Sequence, residues 1–138
     1  MKDRLIGTWE LQSYETIEPD GARGRPFGQA IGRLTYDARG NMTGQVMRPN
    51  RPRVELGEGA AQQVRAAYTG YIAYFGTYEM GADGTTVIHH VQGALNPAWV
   101  GGDQIRGLRF EDDRLILQED VPKAGAIVRH VLTWTRVG

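Results

Sequence analysis

The 138 residues contain no cysteine. That excludes a disulfide framework, a thiolate zinc site, an iron–sulfur cluster and a cysteine nucleophile. Net charge is also missing, because sixteen Lys and Arg balance sixteen Asp and Glu. A neutral chain of this kind carries no electrostatic footprint for nucleic acid or an anionic membrane surface. No stretch approaches the ~18 consecutive apolar residues of a membrane span. Residues 1–15 do not have the charged-then-apolar layout of a signal peptide, so the expected location is the cytoplasm. Histidine is scarce, with only His89, His90 and His130. Adjacent His89 and His90 cannot face the same way on a strand, and none of the three has helical ligand spacing, so no metal site is expected. The G-x-S-x-G elbow, phosphate-binding loop, dinucleotide fingerprint and H-E-x-x-H are all missing, and no cofactor is expected. Arg48, Arg51 and Arg53 lie among prolines without interleaved aromatics and read as a solvated loop.

What the chain does have is a period of two, in short runs separated by turn residues. Runs over 5–17, 31–37, 41–48, 75–80, 85–92, 104–110, 114–119 and 126–136 give eight strands. Pro19-Asp20-Gly21, Ala38-Arg39-Gly40, Gly81-Ala82-Asp83-Gly84 and Glu111-Asp112-Asp113 supply the turns. Only residues 59–74 change period. There Ala60, Val64, Ala67, Tyr68, Tyr71 and Ile72 recur at three and four, which predicts one helix between the third and fourth strands. Mostly short connections favour an all-β, eight-stranded antiparallel up-and-down barrel over a sandwich of the same strand count. One domain spans residues 1–138, a length that buries a sizeable core without staples.

Gly7-Thr8-Trp9 on the first strand and Trp134-Thr135-Arg136 on the last resemble the calycin superfamily. In the lipocalins of that superfamily, an Arg on the last strand packs over a Trp at the closed end of the barrel. Glycine would admit a neighbouring chain there, and a guanidinium would stack on the indole. The resemblance therefore gives Gly7, Trp9, Trp134 and Arg136 structural roles at the floor. Further segments are similar to the bacterial lipocalin-like domain family: Gly32-Arg33-Leu34-Thr35-Tyr36, Tyr74-Phe75-Gly76-Thr77-Tyr78, Val87-Ile88-His89-His90-Val91 and Pro97-Ala98-Trp99-Val100-Gly101. The resemblance implies a barrel with a cavity and no single assigned reaction. It also suggests a hydrophobic metabolite of a natural-product pathway as ligand.

Alternation along each strand indicates which side chains face the lumen. Trp9, Leu11 and Ser13 share one face of the first strand. Leu34 and Tyr36, Met42 and Val46, and Tyr78 and Met80 follow on the next three. On the fifth, the face with Val87, His89 and Val91 is the more apolar, so His89 goes in and His90 out. The sixth brings Gln104, Arg106, Leu108 and Phe110, and the last Val128, His130, Leu132, Trp134 and Arg136. An inward Arg106 needs a partner: an internal carboxylate such as Glu79 or Glu10, or an anionic group on a ligand. His89 and His130 are either satisfied core side chains or acid–base groups. Tyr68, Tyr71 and Tyr74 would project from one side of the helix, which is placed as a lid over the mouth, with Trp99 in a nearby loop.

The expected ligand-binding residues are thus Tyr36, Met42, Tyr68, Tyr71, Tyr78, His89, Trp99, Arg106, Leu108 and His130. Two functions fit them. One is non-catalytic binding of a small, mostly hydrophobic molecule. The other is a cofactor-independent isomerase or cyclase for a polyketide- or terpenoid-like intermediate, with His89, His130 and Arg106 as catalytic candidates. Monomer and homodimer are both compatible with the sequence.

Overall fold

The computed structural model describes residues 2–138. Its elements run α1 (Lys2–Leu5), β1 (Gly7–Ile17), β2 (Arg23–Gly24), β3 (Ile31–Tyr36), β4 (Asn41–Met47), α2 (Ala61–Thr69), β5 (Tyr71–Met80), β6 (Thr86–Ala94), β7 (Asp103–Glu111), β8 (Arg114–Lys123) and β9 (Ala126–Arg136). Strands β1 and β3 to β9 pair in sequence, all antiparallel, and β9 returns to β1 to close an eight-stranded barrel. Strand β2 is a two-residue ladder on the far end of β1, Thr16↔Gly24 and Ile17↔Arg23. Closure leaves no long free edge. No helix among the described residues is long and apolar enough to cross a membrane.

Turn chemistry follows the expected punctuation. Gly40 and Gly84 take positive φ in the β3–β4 and β5–β6 hairpins, and Asp112 does so between β7 and β8. Ala124 and Gly125, at φ 51° and 80°, join β8 to β9. Two consecutive positive φ values give the twist that a tight hairpin needs.

Four differences from the sequence reading bear on the site. Leu5 ends helix α1 and does not begin the first strand. It is fully buried and plugs the barrel floor. Helix α2 stops at Thr69, so Tyr71, Ile72 and Tyr74 sit on β5 and not on or just after a longer helix. Gly70 ends α2, and residues 71–80 then pair with β4 from Met47↔Tyr71 to Asn41↔Thr77. The tyrosine spacing of three that resembled a helix is carried by an extended strand, because cross-strand pairing outweighs local periodicity. Strand β8 also runs four residues past the expected end, through Pro122 to Lys123, pairing with β9 throughout. Finally, β1 bulges between Leu11 and Ser13, which pair with Trp134 and Thr133. The extra residue reverses the alternation, so Tyr14 is buried opposite Leu132 where Ser13 was expected.

A single core fills the floor half of the barrel: Leu5, Trp9, Leu34, Tyr36, Tyr78, Val87, Leu108, Leu115 and Trp134 are buried there. Arg136 closes it from below. Its guanidinium lies 4.3 Å from the Trp9 ring centroid and donates to the carbonyls of Arg4 and Ile6. Trp9 Nε1 donates to the Leu5 carbonyl at 2.9 Å. Three backbone carbonyls at the floor, those of Arg4, Leu5 and Ile6, are thereby paired.

At the other end the wall parts. Strands β7 and β8 pair only from Glu111↔Arg114 to Gly107↔Gln118, although each continues in register with its other neighbour. Residues 103–106 and 119–123 therefore diverge and leave a slot between the two strands.

Candidate ligand-binding site

Above the packed floor lies a cavity of about 100 Å³. Its wall is apolar over Leu34, Met42, Val46, Ile72, Leu117 and Leu132, with Trp134 below. Tyr14, Tyr74, His89, Arg106, Glu119 and His130 bring polar atoms to it. A volume of this order holds about one small ring. Beside it at the mouth lies a crevice of about 320 Å³ that shares Tyr14 and Ile72 with the cavity lining and adds Phe27, Tyr68, Leu95 and Trp99. On the opposite side, Arg106 and Glu119 belong both to the cavity wall and to the slot between β7 and β8.

His89 is almost completely enclosed, 2% exposed. Its ring lies between two tyrosines, with Nε2 2.6 Å from the Tyr36 hydroxyl and Nδ1 2.6 Å from the Tyr74 hydroxyl. Burial, then the nearby Arg106 and His90 charges, push its pKa down to about 3, so it is neutral at pH 7. The same burial pushes Tyr74 up to about 12 and Tyr36 well above its ordinary range. His130 pairs through Nδ1 with the Tyr14 hydroxyl at 2.7 Å. Burial lowers the His130 pKa, against an opposing pull from Glu119, while burial pushes Tyr14 up to about 12. His90 points outward between Glu79 and Asp103, 2.7 Å from each, and those hydrogen bonds raise its pKa.

Arg106 finds an internal carboxylate. Its Nη1 lies 3.2 Å from Glu119 Oε1, and Nη2 donates to Gln104 Oε1 at 2.9 Å. The partner is neither Glu79 nor Glu10. Glu79 faces out beside His90, and Glu10 lies on the outer face of β1. Glu119 sits one step beyond the Gly107↔Gln118 pair, on the inner face with Leu115 and Leu117. With side chains 16% and 38% exposed, the pair is partly solvated by the slot. Arg106→Gln is expected to cost about 1–2 kcal/mol in urea unfolding, above the usual surface pair and below a buried one. A loss above ~3 kcal/mol would mark Arg106 as a core strut.

The other expected site residues divide by depth. Met42, His89, Arg106 and His130 line the cavity. Tyr36, Tyr78 and Leu108 are core residues beneath it, and Tyr78 donates to the Asp37 carbonyl at 2.6 Å. Tyr68 and Trp99 border the mouth crevice, with Trp99 edge-on to Tyr74 at 6.1 Å. Helix α2 thus borders the mouth through Tyr68 and contributes nothing to the cavity itself. Tyr71 does not point inward. It lies on the outer face of β5, where its hydroxyl donates to Gln45 Oε1, and it reaches only the crevice edge. Sequence reasoning missed Tyr14, because no signal in β1 announces the bulge. It also missed Glu119, which extending the Leu115, Leu117 alternation would have found.

A family model described as a lipocalin-like domain matches residues 6–137. No curated protein matches the chain. Among solved structures, that of the siderocalin Ex-FABP, described as functioning through dual ligand specificities, is 7% identical. It covers 97% of this chain and 71% of its own, with a TM-score of 0.39. Since the family match runs from residue 6 to residue 137, through the floor residues Gly7, Trp9 and Arg136 and every strand that walls the cavity, the chain belongs to the lipocalin-like domain family.

Proposed function

We propose that this protein binds one small, mostly hydrophobic molecule, with part of the ligand in the lumen cavity and the rest in the mouth crevice. The observation that carries this reading is an apolar cavity above a packed floor, two of whose lining residues, Tyr14 and Ile72, also line a second, largely apolar space at the mouth. A metabolite of a natural-product pathway is the ligand source that the family resemblance suggests. Native mass spectrometry of protein taken from its own host tests the reading, followed by extraction of the bound species. A one-to-one adduct released unchanged is the expected result. Absence of an adduct, together with failure to bind the neutral apolar dye N-phenyl-1-naphthylamine, would overturn it in favour of a solid barrel.

The Tyr36–His89–Tyr74 chain supports a second reading, the cofactor-independent isomerase or cyclase. A tyrosine hydroxyl backed by a neutral imidazole is suited to stabilising an enolate oxygen. In that reading His130, which is neutral and borders the cavity, is the base, and His89 is a positioning residue. Recovery of a product together with its precursor from the lumen would favour the enzyme over the carrier.

A further inference from the structure

Proton counting around His89 identifies what the cavity lacks. A neutral imidazole donates from one ring nitrogen and accepts at the other. It is bonded to two hydroxyls, so one tyrosine donates to the ring and the other accepts from it, and the accepting tyrosine keeps its own proton unused. Tyr36 is 1% exposed, does not border the cavity and has no other hydrogen-bond partner. An unused hydroxyl proton there would be stranded in apolar surroundings, which is costly. Tyr36 therefore donates to Nε2, and Nδ1–H donates to Tyr74. The spare proton belongs to the Tyr74 hydroxyl, on the cavity wall. A second donor stands independently of the first. Trp134 is 3% exposed and forms part of the same wall, yet its Nε1 has no partner among the described residues.

Charge narrows the ligand further. Arg106, the one guanidinium on the cavity wall, is matched by Glu119, and His89 and His130 are both held neutral. An anion placed there would gain no unmatched positive charge and would sit beside a carboxylate.

We infer that the lumen ligand carries an uncharged hydrogen-bond acceptor, of the ketone, ester or quinone-carbonyl kind, received by the Tyr74 hydroxyl and the Trp134 indole N–H. This rests on the proposed binding function and supplies its ligand class. Tyr36 and His89 are positioning residues in it, since they fix the direction of the Tyr74 proton without touching the ligand.

Three six-membered-ring probes test the inference: cyclohexanone, its near-isostere methylenecyclohexane, and cyclohexanecarboxylate. Affinities are measured by NMR titration of the ¹⁵N-labelled protein, in which the three indole N–H signals are assigned with Trp134→Phe. Cyclohexanone is expected to move the Trp134 indole proton downfield, and methylenecyclohexane is not. Tyr74→Phe is expected to weaken cyclohexanone about threefold to tenfold, the worth of one hydrogen bond, and to leave methylenecyclohexane unchanged. Equal effects on the two neutral probes would overturn the acceptor assignment while leaving the binding function intact. Tightest binding by the carboxylate would also overturn it. Failure of both neutral probes to enter the lumen would remove the binding function along with it. The indole shift is read on the unaltered protein, so the test stands even where a variant folds poorly.

Discussion

Between pH 6.5 and 4.5 the fold is expected to lose roughly 2–3 kcal/mol of stability, rising to about 4–5 kcal/mol by pH 3, through His89 alone. An unfolded imidazole takes up a proton near pH 6.5, whereas the folded one does not until about 3. Throughout that window the unfolded chain binds one more proton than the native protein. Each unit of acidification then costs about 1.4 kcal/mol. His130 is lowered as well and acts with the same sign. His90 is raised, so its contribution is fully present below the unfolded value and is lost only as pH rises above it. It adds no slope on the acid side. Asp37, Asp83 and Asp120 are lowered, and what they contribute is lost only as pH falls toward and below the ordinary carboxylate range. The interval from pH 6.5 to about 4.5 therefore belongs to His89 and His130. Urea-unfolding midpoints at half-unit steps measure it. His89→Asn, which keeps a donor and an acceptor between Tyr36 and Tyr74, should flatten the slope by more than half. Equal slopes in the two proteins would mean that His89 is protonated in the native state, and with it the proton count that frees Tyr74 would fail.

The legible part of this molecule is the part set by alternation between adjacent residues. Choosing the valine face of Val87, His89 and Val91 put His89 inside and His90 outside, and the two rings do occupy opposite environments, one nearly dry and one bridging surface carboxylates. The closed floor was legible for a different reason. The resemblance to the calycin superfamily implies that an Arg on the last strand packs over the Trp of the first, and Trp9 and Arg136, nearly the whole chain apart, do pair.

What could not be read depended on events that alternation does not record. The bulge after Leu11 exchanges Ser13 for Tyr14, and the cavity thereby gains the hydroxyl that holds His130. Tyr71 looked inward only because a helical period was extended to residue 74, four residues past Gly70. On a strand the same residue faces out. The parting of β7 from β8 is a long-range register effect with no local signature, and it decides that Arg106 and Glu119 are half-solvated neighbours at a slot and not a sealed core pair.

Opening the barrel floor is expected to be the most damaging single change. Trp9→Ala should cost about 4–5 kcal/mol, much of the roughly 5–15 kcal/mol available to a domain of ordinary stability. The ring is 1% exposed, packs on Phe110 at 6.4 Å, donates to the Leu5 carbonyl and carries the Arg136 guanidinium on its face. Its removal leaves a cavity, an unpaired backbone acceptor and an unstacked cation together. Trp9→Phe keeps the ring stack and should cost less than half as much. Glycine at the same corner gives an independent check. Gly7 has φ 139°, and a Cβ there would run into Arg136 Nη1 and lie 2.7 Å from the Gly138 carbonyl oxygen. Gly84, at φ 74°, has nothing within 4 Å of the same added atom. Gly84→Ala should therefore show only the backbone cost of about 1 kcal/mol, whereas Gly7→Ala must also displace the guanidinium from Trp9 and should cost about 2–3 kcal/mol more. Urea midpoints for the four variants decide the matter. If Gly7→Ala and Gly84→Ala proved equal, Arg136 would be a loose surface side chain, and the floor would owe its closure to Leu5 and Trp9 alone.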